Sequence, residues 1–325
     1  MPGTALVTGA AGFIGSHLCR FLASRGYRVR ALDVRPPGSV SGLRSDQGVE
    51  YQECDIRDEE RLRDALRDVA TVFHLASVHL EVHADGRAFE AVNVDAVETL
   101  VRESAQAGVD RFVHTSSVGI FGHVSAPPAD ENARKDPQTP YERTKLRGEE
   151  AALRTAAEVD LDLVVLRPAW VFGPGCPRTA KLARTVGKGR FFYVGRGGNL
   201  RHPVFIGDLV EAYLLAATAP ADRVRGRAFI IAGPRWVTLR EMVNTFARVL
   251  DVAPPRLSVP APLFRGVAAG VEAVTGLLRI EPPFSRRSMA FFQNDNAFEI
   301  GAARDALGFA PFVDLEEGLR RTFDA

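Results

Sequence analysis

Through its first half the chain alternates short apolar runs with stretches of helical period. Ala5-Leu6-Val7 leads through a glycine-rich turn into an amphipathic run that begins at His17-Leu18, and a second apolar run, Tyr27 to Leu32, ends at Asp33. A polar connection rich in Gly and Pro, Arg35 to Gly48, precedes a strand at Val49 to Glu53 and a charged helix at Glu59 to Arg67. Further apolar runs at 71–75, 111–115 and 161–166 alternate with a long helix through 92–101 and another starting near Thr139. Runs this apolar, spaced by helical periods, predict an α/β fold: a doubly wound parallel sheet covered on both faces and completed by 161–166.

From Arg167 onward the regularity breaks. Gly173-Pro174-Gly175 and Gly195-Arg196-Gly197-Gly198 mark loops, and Pro254-Pro255, Pro260, Pro262 and Pro282-Pro283 bracket single helices. Helical periods at 209–217 and 239–250 flank a strand at 228–231. The expected organisation is therefore residues 1–167 as one domain and 168–325 as a smaller lobe, partly interleaved with it and laid over the C-terminal strand edges. That crevice is where an open α/β sheet binds ligands.

The turn after the first apolar run reads Gly9-Ala10-Ala11-Gly12-Phe13-Ile14-Gly15. Strand, glycine turn and helix in that order suit a dinucleotide pyrophosphate. Gly9 permits the tight turn, Gly12 lets the backbone approach the phosphates, and Gly15 lets the helix pack on the strand with its N-terminal N–H groups facing the anion. Asp33, at the end of the next run, is placed to bind the adenosine ribose hydroxyls and to repel a 2′-phosphate, so NAD rather than NADP is expected. Arg35, two residues on, pulls the other way.

Composition sets limits. With 325 residues, 46% hydrophobic and 25% charged, the chain is long enough for one large α/β unit and a lobe. A net charge of +1 gives no footprint for nucleic acid or an anionic membrane. Three scattered cysteines fit a reducing compartment. The first strand begins by Thr4, leaving no room for a signal peptide, and no apolar run reaches the ~18 residues of a membrane span. A cytoplasmic protein is expected.

Tyr141 and Lys145 share one face of the helix that starts near Thr139, and Ser116 and Ser117 end the preceding strand. An ammonium beside a phenol favours phenolate, drawing a pKa of ~10 towards neutrality. The phenol could then exchange a proton with a substrate hydroxyl while hydride moves to or from a nicotinamide, with a serine hydroxyl orienting the same oxygen.

These residues resemble the extended short-chain dehydrogenases/reductases, the family of nucleotide-sugar epimerases and 3β-hydroxysteroid-type dehydrogenases, whose fold is a Rossmann domain with a C-terminal substrate lobe. Thr8 to Gly15 resembles TGxxGFIG, and Thr115-Ser116-Ser117 through Phe121-Gly122 resembles TSSxxxYG. Pro140-Tyr141 through Lys145 carries the Tyr and Lys, Leu166-Arg167-Pro168 through Gly175 resembles LRPxxVYGPG, and Leu307-Gly308-Phe309 through Leu319 resembles the closing helix. The resemblance implies Ser117, Tyr141 and Lys145 as catalytic and Asp55 and Ile56 as adenine contacts. Phe73-His74-Leu75-Ala76-Ser77 would be the strand end over the cofactor, with Pro168 beside it and Asn93 in a structural role. It also implies a homodimer through a four-helix bundle of 95–107 and 141–157, to which Val97, Leu100 and Val101 would lend apolar surface.

Departures from the family narrow the chemistry. Val118 and Gly119 stand where dehydratases carry an acid and some epimerases a cysteine, leaving hydride transfer with one proton shuttle. The leading reading is a nucleotide-sugar 4-epimerase, with Arg201 and one of Arg286 and Arg287 gripping a diphosphate; planar guanidiniums match its oxygens. The alternative is a 3β-hydroxysteroid-type dehydrogenase or ketoreductase for a bulky apolar alcohol, suggested by the apolar stretch Leu263 to Leu278 with Phe284, Met289, Phe291 and Phe292. A third is a dinucleotide sensor without catalysis. His79, Trp170, Arg201, Arg287, Ser116 and Ser117 are the expected substrate contacts. His79 and His83 lack a third ligand, so no metal is expected.

Overall fold

The computed structural model describes residues 3–36, 48–78, 86–264, 266 and 289–324. Strands β1 (Thr4–Thr8), β2 (Arg28–Asp33), β3 (Val49–Glu53), β4 (Val69–His74), β5 (Arg111–Thr115) and β6 (Leu163–Pro168) build a parallel sheet. Short strands β7 (Trp170–Phe172), β8 (Tyr193–Val194), β9 (Leu200–Arg201) and β10 (Pro203–Phe205) lie outside it, and β11 (Ala228–Ile231) returns to it beside β6. The order β11-β6-β5-β4-β1-β2-β3 reverses direction at β1, the doubly wound arrangement expected of a Rossmann sheet. All five residues of β1 and all of β5 are buried, as helix-covered parallel strands require.

The helices are α1 (Phe13–Ser24), α2 (Glu59–Leu66), α3 (Gly86–Glu90), α4 (Ala96–Gln106), α5 (Pro140–Glu158), α6 (Pro177–Gly187), α7 (Ile206–Thr218), α8 (Ala221–Val224) and α9 (Leu239–Val249), followed by Gly301–Leu307 and Leu315–Phe323. A π-helical turn, Ala91–Asp95, joins α3 to α4. The sheet does not end at 161–166. β11 pairs in parallel with β6, Ala228 opposite Val165, and α7 packs on α1. Both come from the half read as a separate lobe. Their apolar periods looked like those of any buried element, and only pairing shows which core they join.

The apolar side chains expected to support a dimer face inward. Val97, Leu100 and Val101 pack in the subunit's own core with Phe112, Ala152 and Ala156. The outer rims of α4 and α5 are instead tied by Arg102–Glu158 at 2.7 Å and by Arg154–Glu98, and Arg147 reaches Glu90 of α3 at 2.7 Å. At 100° per residue, a shift of two residues in assigning the face is enough to turn a core stripe into an apparent surface one.

Candidate active site

The glycine turn folds as its residues dictate. Gly9 has φ +69°, and a Cβ there would come within 2.7 Å of the Ala76 amide nitrogen. A Cβ on Gly15 would lie 2.2 Å from the Gly9 carbonyl oxygen, so α1 can sit this close to β1 only with glycine there. Gly12 is the N-cap of α1, and no side chain caps the helix, leaving its first-turn donors directed at the turn. Phe13 and Ile14, both partly buried, form that first turn against the core.

A cavity of about 630 Å³ opens in front of this turn and brings together Gly9, Gly12, Asp33, Arg35, Asp55, Ile56, Leu75, Ala76 and Ser77. Backbone cradle, open helix end and a cavity of this size fit a dinucleotide. Asp33 is buried at the β2 end, where its Oδ2 accepts the Ala11 N–H at 2.9 Å. Its Oδ1 accepts the Arg35 backbone N–H and Nε, each at 3.1 Å. Arg35 thus closes over Asp33 as an ion pair. Thr8 fixes the neighbouring strand end: its hydroxyl bonds His74 Nδ1 at 2.8 Å and accepts the Leu75 and Ala76 N–H groups at 3.2 Å. Replacing Asp33 by alanine should shrink the preference for NAD over NADP, measured by intrinsic fluorescence titration of both. An unchanged ratio would show that Asp33 does not face the ribose.

The end of the site expected to handle protons is built on α5. Its N-terminus has a capping box, with Glu142 N–H donating to Thr139 Oγ at 3.2 Å and Thr139 N–H to Glu142 Oε2 at 2.9 Å, and Pro140 opens the helix. Tyr141 in that first turn hydrogen-bonds the Ser117 hydroxyl, which also accepts the Gly119 N–H at 3.0 Å. Lys145, one turn on, is buried and donates from Nζ to the Thr115 carbonyl. Ser116 is buried next to Ser117, and Pro168 closes β6 at the same sheet edge.

The electrostatics differ from the expectation. Burial pushes the Tyr141 phenol up to about 12, and the cation that opposes the rise is Arg178 at the start of α6 rather than Lys145. Lys145 is itself drawn down to about 8 by burial, against the pull of Glu149. At each group desolvation is the largest cause, Arg178 and Ser117 opposing it at Tyr141 and Glu149 at Lys145. His74 and His114 stack beneath them with ring centroids 5.4 Å apart, and burial holds both neutral, His74 at about 3. Arg178 was not singled out in the sequence because an exposed arginine after a proline carries no signal of its own.

The lobe residues are placed differently. Arg201 is buried on β9 and gives its guanidinium to the carbonyls of Leu200, Asn294 (2.7 Å) and Phe291. It also lies over the Phe291 ring, and burial lowers its pKa to about 10. Trp170 is half-buried and stacks on Phe172 at 5.8 Å, with Phe246 beside it. Asn93 acts as a structural tie: its side chain accepts the Val78 N–H at 2.9 Å and donates to Thr144 Oγ at 3.0 Å, joining the β4 end to α5. His79, His83, Arg286, Arg287 and the apolar stretch 267–288 lie outside the described residues. Among the described residues no group of three metal-ligating side chains occurs, and no helix is long and apolar enough to cross a membrane.

A family model described as the NAD dependent epimerase/dehydratase family matches residues 5–232. The chain is 30% identical over 333 residues to a 2-alkyl-3-oxoalkanoate reductase of Stenotrophomonas maltophilia, covering 97% of each chain. Among solved structures it resembles MoeE5 in complex with UDP-glucose and NAD (29% identity, TM-score 0.76, 99% and 98% of the two chains). It also resembles the UDP-glucose 4-epimerase of Thermotoga maritima with UDP-glucose (26% identity, TM-score 0.80, 99% and 97%).

Proposed function

Since the chain belongs to the NAD-dependent epimerase/dehydratase family of extended short-chain dehydrogenases/reductases, we propose that it is a dehydrogenase or ketoreductase for a bulky, largely apolar secondary alcohol or ketone. The observation that carries this choice is Arg201. A guanidinium committed to main-chain carbonyls and half wrapped by a phenylalanine ring is poorly placed to grip a diphosphate. Arg178 adds a second clue: a cation next to the proton-handling phenol suits a carboxylate on the carbon next to the reacting one, which makes a 3-oxo or 3-hydroxy acid the preferred substrate class. Similarity to a 3-oxoalkanoate reductase supports the same class.

In this reading the backbone of Gly9 to Gly15 holds the pyrophosphate, Asp33 the adenosine ribose, and Asp55 and Ile56 the adenine. NAD, when bound, supplies the hydride acceptor, or donor in the reverse sense. In oxidation Tyr141 must first give up its own proton to solvent; its phenolate oxygen then takes the substrate O–H proton as the substrate C–H bond gives up hydride, leaving a ketone whose oxygen stays within reach of Ser117 and Tyr141. Lys145 supplies positive charge beneath the phenol and a donor for the nicotinamide ribose. Reduction runs through the same groups in reverse.

A panel assay tests the reading. NADH consumption with 2-alkyl-3-oxo acids, or its formation from 3-hydroxy acids of steroid size, is expected, without thermal stabilisation by UDP, GDP or dTDP sugars. The nucleotide-sugar 4-epimerase reading is supported by the likeness to a solved UDP-glucose 4-epimerase. A rise in melting temperature with a nucleotide sugar, followed by its C4 inversion, would establish that reading instead, because a ligand binding only the native state must stabilise it.

A further inference from the structure

The net charge of +1 conceals an uneven surface. From Leu163 to Gly207 the chain holds eight Lys and Arg and not one Asp or Glu. Arg167 and Arg201 of this stretch are buried, and Arg178 belongs to the site described above. The other five, Lys181, Arg184, Lys188, Arg190 and Arg196, are exposed, and none of them makes an ion pair among the described residues. Many surface arginines elsewhere are met by acids, as in Arg63–Glu59, Arg154–Glu98 and Arg321–Glu317.

The fold gathers these cations on one side. α6 turns Thr179, Ala183 and Val186 inward, and at 100° per residue Lys181, Arg184 and Lys188 fall within about 60° of one another on the opposite face. Cations at the end of a helix suit its dipole, which accounts for Arg184 and Lys188 but neither for Lys181 nor for the loop cations. Past Arg190 the chain enters β8, and Ser258–Val259 runs parallel to it, with the Tyr193 N–H donating to the Leu257 carbonyl at 2.9 Å. That pairing sets the exposed Arg256 and Leu257 beside the same loop. Leu257 is 63% exposed and Leu263, on the turn that follows, 59%.

We propose that α6, the loop from Lys188 to Arg196 and the strand at Ser258–Val259 form a face that docks on an anionic lipid bilayer. The cations meet headgroup phosphates, and Leu257 and Leu263 enter between the headgroups. Each Lys or Arg brought up to an anionic bilayer strengthens binding by about fivefold, so five without acid partners hold the chain there reversibly. Leucines standing among the cations suit the boundary between headgroups and acyl chains better than the polar surface of an acidic protein. A bulky apolar substrate would partition into the same bilayer; this last support, unlike the charge and the leucines, rests on the reaction class proposed above.

The test is sedimentation of the full chain with vesicles of phosphatidylcholine alone and with about one third phosphatidylglycerol. Wild type should sediment with the anionic vesicles only, and should be released as salt rises from about 0.05 M to about 0.5 M. The triple variant K181Q/R184Q/K188Q should bind about a hundredfold more weakly, whereas R28Q/R223Q/R304Q, which removes as much charge from exposed positions outside the stretch, should lose less than about fivefold. Equal melting temperatures of the two variants show that the comparison is between folded chains. No sedimentation at low salt, equal binding to neutral vesicles, or the same loss in both triples would overturn the proposal. Salt-sensitive retention on immobilised poly-glutamate without vesicle binding would give the face to an acidic protein instead. The assay contains no substrate, so its failure leaves the reaction class standing, and an inactive substrate panel leaves vesicle binding standing.

Discussion

Replacing Tyr141 by phenylalanine should lower turnover by about 10²–10⁴-fold while NAD affinity stays close to that of the wild type. The ring stays and keeps the start of α5 packed, and only the hydroxyl that meets Ser117 is removed. Steady-state kinetics with the best substrate of the panel give the first quantity. Titration of intrinsic fluorescence, with tryptophans at 170 and 236, gives the second. A collapse of NAD binding in the variant would instead make Tyr141 a packing residue. A phenol held at about 12 is a poor base in the resting chain, so the proton transfer has to draw on charge that substrate and cofactor bring to the site.

The second large effect is expected at Gly148. A Cβ there would stand 2.0 Å from the Asn93 carbonyl oxygen, where α5 crosses the π turn at Ala91–Asp95. That oxygen belongs to backbone and cannot swing aside, so Gly148→Ala must push the two segments apart at a cost of about 1–3 kcal/mol or more. Asn93 would be dragged from Thr144 and Val78 at the same time. Thermal unfolding compares it with Gly301→Ala, whose added methyl meets nothing within 4 Å. The first variant should melt several degrees lower and the second close to wild type; equal melting temperatures would mean the crossing is looser than described.

Much of this site could be read from the chain because its parts are local. Gly9 to Gly15 declares itself by spacing, Asp33 by ending a strand, and Tyr141 with Lys145 by sharing a helix turn; Gly9, Gly12, Asp33, Asp55, Ile56 and Leu75 to Ser77 line one cavity, while Phe13, Ile14, Gly15, Tyr141, Lys145 and Pro168 do not line it. Long-range choices were not legible. Arg201 sits where a phosphate contact was expected, yet the carbonyls it meets belong to a segment about ninety residues later. Arg178 acquires meaning only when α6 and α5 converge. The direction of the Tyr141 shift depended on how deeply the hydroxyl is enclosed, which no spacing reveals.

The return of β11 to the edge of the main sheet bears on how such an enzyme can be rebuilt. A chain cut after Pro168 would lack both the outermost strand and α7, leaving β6 as an open edge ready to pair with another molecule. Segments from the two halves of the chain are thus braided rather than strung in series. A single crossover between two genes could not graft one enzyme's specificity onto another's cofactor platform, whereas exchange of the inserted segments between fixed strands could. Unfolding should accordingly occur in one step, without a surviving N-terminal half.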